Sequence, residues 1–89
     1  MARLIFTRQL ARFMEVPQVD TDAADLRSAL EAAFAVEPRL RGYLLDEQGR
    51  LRENVVAFID GRIARDREAL RDALAPHAQV HILQALSGG

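Results

Sequence analysis

Val80-His81-Ile82-Leu83-Gln84-Ala85-Leu86-Ser87-Gly88-Gly89 reads as a β-strand that gives way to a thin tail. Apolar residues dominate from Val80 to Leu83, the pattern of a strand that closes a sheet. Beyond Gln84 the side chains shrink, and a diglycine has neither helix propensity nor a side chain to bury. The pattern therefore divides the chain into a domain over residues 1–84 and a flexible C-terminal tail over residues 85–89. The chemically distinctive group is the α-carboxylate of Gly89, carried on a backbone slim enough to enter a narrow tunnel. Such a carboxylate can attack the α-phosphate of ATP inside a partner enzyme and leave as an acyl-adenylate, activated towards sulfur or nitrogen nucleophiles. Gly89 is then a substrate, with Gly88, Ser87 and Leu86 threading in behind it.

The remaining composition bounds the choices. Eighty-nine residues make one domain with a single modest core, burying roughly two thirds of the unfolded surface. With 49% hydrophobic and 28% charged residues, the chain has the balance of an ordinary globular domain, and its apolar runs fall far short of a membrane span. Leu4-Ile5-Phe6 is too short for the apolar core of a secretory signal, so a cytoplasmic location is expected. With no cysteine, neither a disulfide framework nor a thiolate metal site nor a side-chain persulfide can form. Any sulfur the protein carries must sit on its C-terminus. A net charge of -1 gives no basic footprint for nucleic acid. All 12 basic residues are arginine, so an activated acyl group on Gly89 finds no ε-amine on its own chain.

Upstream, Leu4-Ile5-Phe6-Thr7 predicts a first strand, with Leu4 and Phe6 on one face and Ile5 and Thr7 on the other. A second extended segment is expected from about Phe13 to Val19, and Pro17, which lacks an N–H, assigns it to a sheet edge. Thr21 is the expected N-cap of a helix from Asp22 to about Ala35, with Leu26, Ala29, Leu30, Ala33 and Phe34 on its buried stripe. Arg27 and Glu31 form a flanking pair. Pro38 ends that helix and opens a short turn through Leu40-Arg41, with Leu40, Tyr43 and Leu44 covering one end of the core. Asp46-Glu47-Gln48-Gly49 is turn chemistry. Val55-Val56-Ala57-Phe58-Ile59 is the strongest strand, bounded by Asp60-Gly61, and a short strand follows at Arg62-Ile63-Ala64. Asp66 to Leu74 is expected to make a helical turn around Leu70 and Leu74, and Pro76 ends it.

His77 and His81 are four apart, a spacing that would share a zinc ion on a helix. On the extended segment expected here they would lie roughly 13 Å apart, beyond one ion. No metal site is expected, and no Ser/His/Asp set, phosphate loop or thiol nucleophile assembles from these residues, so no catalytic residue is assigned.

The ββαβ(β)β order, the apolar strand ending in Asp60-Gly61, and the closing strand with its Gly-Gly tail resemble the β-grasp (ubiquitin-like) sulfur carriers of the MoaD/ThiS family. Ala75-Pro76-His77-Ala78-Gln79, where the family often has an Asp-Gly-Asp-type turn, and Val56, at a commonly polar position, depart from that pattern. The resemblance implies an α+β fold, a mixed four- to five-stranded sheet with one main helix across one face. The first strand would run parallel to the last at its centre. The helix would cover Leu4, Phe6, Ala57, Ile59, Val80 and Ile82.

It also implies that Gly89 is adenylated by an E1-like adenylyltransferase that uses ATP, and becomes a thiocarboxylate. A sulfurtransferase or a sulfur-accepting synthase would be the further partner, and no cofactor would be bound to the chain itself. Alternation along the strands leaves Ile5, Phe58 and Leu83 on the opposite face, near Ile63 and Leu86, an apolar patch on which the activating enzyme would dock. Two other readings stay open. A ubiquitin-like modifier would join the same activated Gly89 to lysines of other proteins, and a pure interaction domain would leave the terminus inert.

Overall fold

The computed structural model describes residues 1–7 and 18–84. Two edge-to-centre strand pairings build its frame. Strand β1 (Ala2–Phe6) pairs antiparallel with β2 (Gln18–Thr21) on one side and parallel with β5 (Gln79–Gln84) on the other. Strand β3 (Val55–Ile59) pairs antiparallel with β5 and with β4 (Arg62–Ile63). The sheet order is β2-β1-β5-β3-β4, so the first and last strands lie side by side within the sheet and β2 is at an edge, as the resemblance implies. The expected strand bounds shift by a residue or two: β1 begins at Ala2, whose side chain is buried, and β4 stops at Ile63. Of the expected second segment, Phe13 to Pro17 lies outside the described residues.

Each strand alternates between a core face and an open face, because successive side chains point to opposite sides. Leu4, Phe6, Val55, Ala57, Ile59, Val80 and Ile82 are buried on one face. Helix α1 (Leu26–Val36) covers them with Leu26, Ala29, Leu30, Ala33 and Phe34, the stripe expected from the sequence. Each leucine removed fully from water here contributes about 1.5–3 kcal/mol of transfer free energy. Helix α2 (Arg39–Leu44) then closes one end of the core with Leu40 and Leu44. It is a six-residue helix where a shorter turn was expected, and its Tyr43 is 40% exposed and no part of the core. Tyr43 lies on the solvent side because Leu40 and Leu44, four apart, already fill the inward stripe.

The N-cap is Asp25, not Thr21. Thr21 completes β2 and is buried, its Oγ1 accepting the Ala23 N–H at 3.1 Å. Asp25 has the extended φ of −144° required of a cap, and its Oδ1 accepts the Ser28 N–H at 2.7 Å. The amides of Leu26 and Arg27 are satisfied differently, by the carbonyls of Asp72 (3.0 Å) and Leu70 (2.9 Å) on a crossing loop. The helix N-terminus is thus saturated from within the fold.

That crossing loop is the region where a helical turn around Leu70 and Leu74 was expected. Both leucines are buried, yet no helix forms. Asp66 turns its carboxylate onto the backbone instead, accepting N–H groups from Glu68, Ala69 and Arg71, and Leu70 takes a φ of +59° that no right-handed helix allows.

Candidate functional site

Strand β5 ends at Gln84, the last described residue before the assigned tail, so the surface around β5 is the described surface nearest to the terminus in sequence. The tail residues assigned from sequence, Leu86, Ser87, Gly88 and Gly89, lie outside the described residues, as does the proposed boundary at 85. The site that the structure does describe is the open face of the sheet. Register decides its layout. Ile5 is opposite His81 across the parallel β1–β5 ladder, His81 is opposite Phe58 across β5–β3, and Phe58 is opposite Ile63 across β3–β4. One row therefore crosses four strands in the order Ile5, His81, Phe58, Ile63. The next row, one step towards the end of β5, places Val56 opposite Leu83.

Ile5, Phe58 and Val56 are half-buried, Leu83 is 38% exposed and Ile63 57% exposed. The four apolar residues assigned from sequence do come together on one surface. Two residues were missed. His81, weighed only as a metal ligand, occupies the middle of the row, exposed between Ile5 and Phe58. Val56, noted only as a departure from pattern, extends the apolar surface beside Leu83. The signal that finds both is parity, since 56 and 58, like 81 and 83, share a face.

Charge is kept to one end of this face. Arg3 Nε donates to Asp20 Oδ1 at 2.8 Å across β1–β2, at the end away from the tail. That hydrogen bond holds the Asp20 carboxyl below its ordinary value and raises the Arg3 guanidinium above its own. Both side chains are about half exposed, so the pair adds little stability. Among the described residues no three His, Asp or Glu side chains cluster as metal ligands, and no helix is long and apolar enough to cross a membrane. A recess of about 690 Å³ lies elsewhere, around Arg50, Arg52 and Arg67. Its guanidiniums are engaged by Asp46, the Gly42 carbonyl and the Arg52 carbonyl respectively.

A mixed sheet in this order, one helix on one face and an apolar row on the other, meets its match in a family comparison: the ThiS family model aligns with residues 5–89. The chain belongs to the ThiS family. Solved structures agree on the β-grasp fold that this family shares with ubiquitin-like proteins. SAMP1 from Haloferax volcanii is similar at a TM-score of 0.80 and 22% identity, with 99% of this chain and 98% of that chain covered. A chain of the Amycolatopsis orientalis BexX/CysO complex is similar at a TM-score of 0.86 and 14% identity, each chain fully covered at 100%. Urm1 from Sulfolobus solfataricus follows at 0.69 and 15%, with 92% and 97% covered. At these identities the structural likeness speaks for the fold, while the family membership rests on the sequence match. Comparison with curated proteins by sequence returns no match. The ThiS-family alignment runs through Gly88 and Gly89.

Proposed function

We propose that this chain is a sulfur carrier whose reactive group is the Gly89 carboxylate. The observation that carries the reading is that the ThiS-family match extends through the diglycine to residue 89. A carboxylate oxygen of Gly89 attacks the α-phosphorus of ATP in an E1-like adenylyltransferase, and pyrophosphate leaves. A sulfur nucleophile at the sulfide level then attacks the acyl carbon, and AMP leaves. The resulting thiocarboxylate passes its sulfur to an accepting synthase. In this scheme the chain is a protein co-substrate, ATP is bound by the partner, and the reaction belongs to the cytoplasm.

The partner enzyme is proposed to dock on the open face described above, at Leu83, Phe58, Ile5 and Ile63. Continuity supports this: β5 supplies Leu83 to the face and, one residue after it, the last described residue before the tail. Gly88 and Gly89 are proposed to pass through a narrow channel that larger side chains would block, with Leu86 and Ser87 at its mouth. The lysine-free composition suits a carrier with an activated terminus, because no ε-amine on the same chain competes for the acyl group.

The test is intact-mass analysis after incubation with the E1-like enzyme, ATP and a sulfide source, for which an oxygen-for-sulfur increase is the expected result. A variant extended by one residue beyond Gly89 should give none. A second reading is favoured by one observation, the likeness to a protein named as a small archaeal modifier. On that reading diglycine remnants appear on lysines of other proteins, and the free protein gains no sulfur. A chain whose extension changes nothing would be an interaction domain instead.

A further inference from the structure

Among the described residues the arginines divide into paired and unpaired ones. Arg3 pairs with Asp20, Arg27 and Arg41 with Glu31, Arg39 with Glu37, and Arg50 with Asp46. Arg52 and Arg67 donate to backbone carbonyls. Arg62, Arg65 and Arg71 are exposed and have no carboxylate partner among the described residues. Two acidic side chains near Arg62 and Arg65, those of Asp60 and Asp72, are turned onto backbone amides. Asp60 Oδ1 accepts the Gln79 N–H at 2.9 Å, and the two oxygens of Asp72 accept the N–H groups of Arg65 (3.1 Å) and Asp66 (2.8 Å).

Arg62 lies in β4, the outermost strand on its side of the sheet, and Arg65 follows two residues after that strand. An open recess of about 530 Å³ lies there, lined by Ile59, Arg62, Ile63, Arg65, Asp72 and Ala73. Its apolar wall is Ile59, Ile63 and Ala73, and its rim carries the guanidiniums of Arg62 and Arg65, which no carboxylate meets among the described residues, beside one carboxylate, Asp72, held on two backbone amides.

The backbone of the edge is also unanswered. Ala64 N–H donates to the Ala57 carbonyl at 2.8 Å, which makes that opposing pair a hydrogen-bonded one. In an antiparallel ladder hydrogen-bonded and non-hydrogen-bonded pairs alternate, so the adjacent Phe58–Ile63 pair is of the second kind. The N–H and C=O of Ile63 therefore point away from β3, towards the uncovered edge. Charged residues are a common guard on edge strands. A guard alone would not also expose more than half of Ile63 beside an apolar recess.

We propose that the β4 edge is a docking strip for an acidic extended segment of a partner protein. The segment's backbone pairs with Ile63, an apolar side chain enters the recess, and flanking carboxylates meet Arg62 and Arg65. Charge complementarity selects an acidic partner, and the outward backbone pair selects an extended peptide over a nucleic acid. A nucleic acid offers no extended backbone to pair with the N–H and C=O of Ile63. Because Ile63 is the register partner of Phe58, the strip adjoins the open face, yet it requires nothing of Gly89 and stands or falls independently of the carrier reading.

The probe is a blocked peptide of alternating Glu and Val, titrated into the isotope-labelled full chain and followed by backbone amide NMR shifts. Shifts centred on residues 62–65 and 72–73 are expected, with affinity falling about tenfold between low and near-molar salt. They should vanish in the R62E/R65E variant, whose two sites are exposed, with the rest of its spectrum unchanged. A Lys-Val peptide should leave these amides in place. The proposal is overturned by no shifts, by shifts centred elsewhere, by equal response to both peptides, by survival in the double variant, or by stronger response of the same amides to single-stranded RNA.

Discussion

Arg27 Nη2 donates to the carbonyl oxygen of Gly49 at 2.6 Å, joining α1 to a turn 22 residues away. The same guanidinium reaches the carbonyls of Ala69 (3.1 Å) and Glu68 (3.3 Å), so one side chain ties two loops to the helix. Its expected i,i+4 partner Glu31 stands at 4.0 Å and is the lesser contact. Hydrogen bonds from a charged donor are worth about 1.5–3 kcal/mol, so Arg27→Ala should lose about 2–3 kcal/mol of unfolding free energy in urea titration. Arg27→Lys should recover less than half, because a single ammonium cannot reproduce the planar fork.

The β3–β4 hairpin turns on Asp60 and Gly61, whose φ angles are +50° and +85°. Ile59 and Arg62 pair directly across it, which makes it a two-residue loop of the kind whose twist matches the flanking strands. A Cβ on Gly61 meets nothing within 4 Å, so the cost of a side chain there is purely conformational. Gly61→Ala should destabilise by about 1–2 kcal/mol, measured by thermal or urea unfolding, while leaving the amide spectrum of the core unshifted.

Acid should unfold this protein through its backbone-bound carboxylates. The Asp66 carboxyl is held below its usual value first by the Ala69 N–H and then by that of Arg71, and Asp46 likewise by the amides of Arg50 and Gln48. Asp25 is lowered by its cap bond to Ser28. A carboxyl with a lower pKa folded than unfolded stabilises the fold wherever both states are charged, above the ordinary value of about 4. That contribution is lost as pH falls through the lowered, folded value. The melting temperature should therefore be flat from neutrality to about pH 5 and fall below about pH 4. Asp66→Asn should make the fall shallower, since an amide no longer titrates.

How much of this the sequence disclosed depended on whether the deciding contact was local. Parity sorted the side chains of Val55–Ile59 and Val80–Leu83 into two sets, but Val55–Ile59 is apolar throughout, and the family resemblance supplied which set the helix covers. Asp60-Gly61 marked its own turn. Asp25 is the better cap of the two in isolation, and the extension of β2 to Thr21 removes Thr21 from the helix start. Leu70 and Leu74 have helical spacing, but the Asp66 carboxylate offers the backbone a competing set of bonds, and the helix amides of Leu26 and Arg27 take the carbonyls of Asp72 and Leu70. Parity puts His81 on the open face, but its central place between Ile5 and Phe58 was hidden for the same reason. It follows from the register of β1, β5 and β3, and register is a property of three segments far apart in the chain.

If the activating enzyme docks on the open face, stability and activation should separate there. Leu83 is 38% exposed at the base of the tail, and a substitution at a site so exposed usually changes stability by less than about 0.5 kcal/mol. An aspartate at that position would have to be desolvated against an apolar partner, which costs far more than the lost contact. Leu83→Asp should accordingly melt within a few degrees of the parent and lower kcat/KM for ATP-dependent adenylation by about tenfold or more, a loss of about 1.4 kcal/mol in transition-state binding. Arg3→Ala, on the same face but at the end away from the tail, should leave adenylation nearly unchanged. Equal rates for Leu83→Asp and the parent would remove the open face from the docking surface, whatever becomes of Gly89.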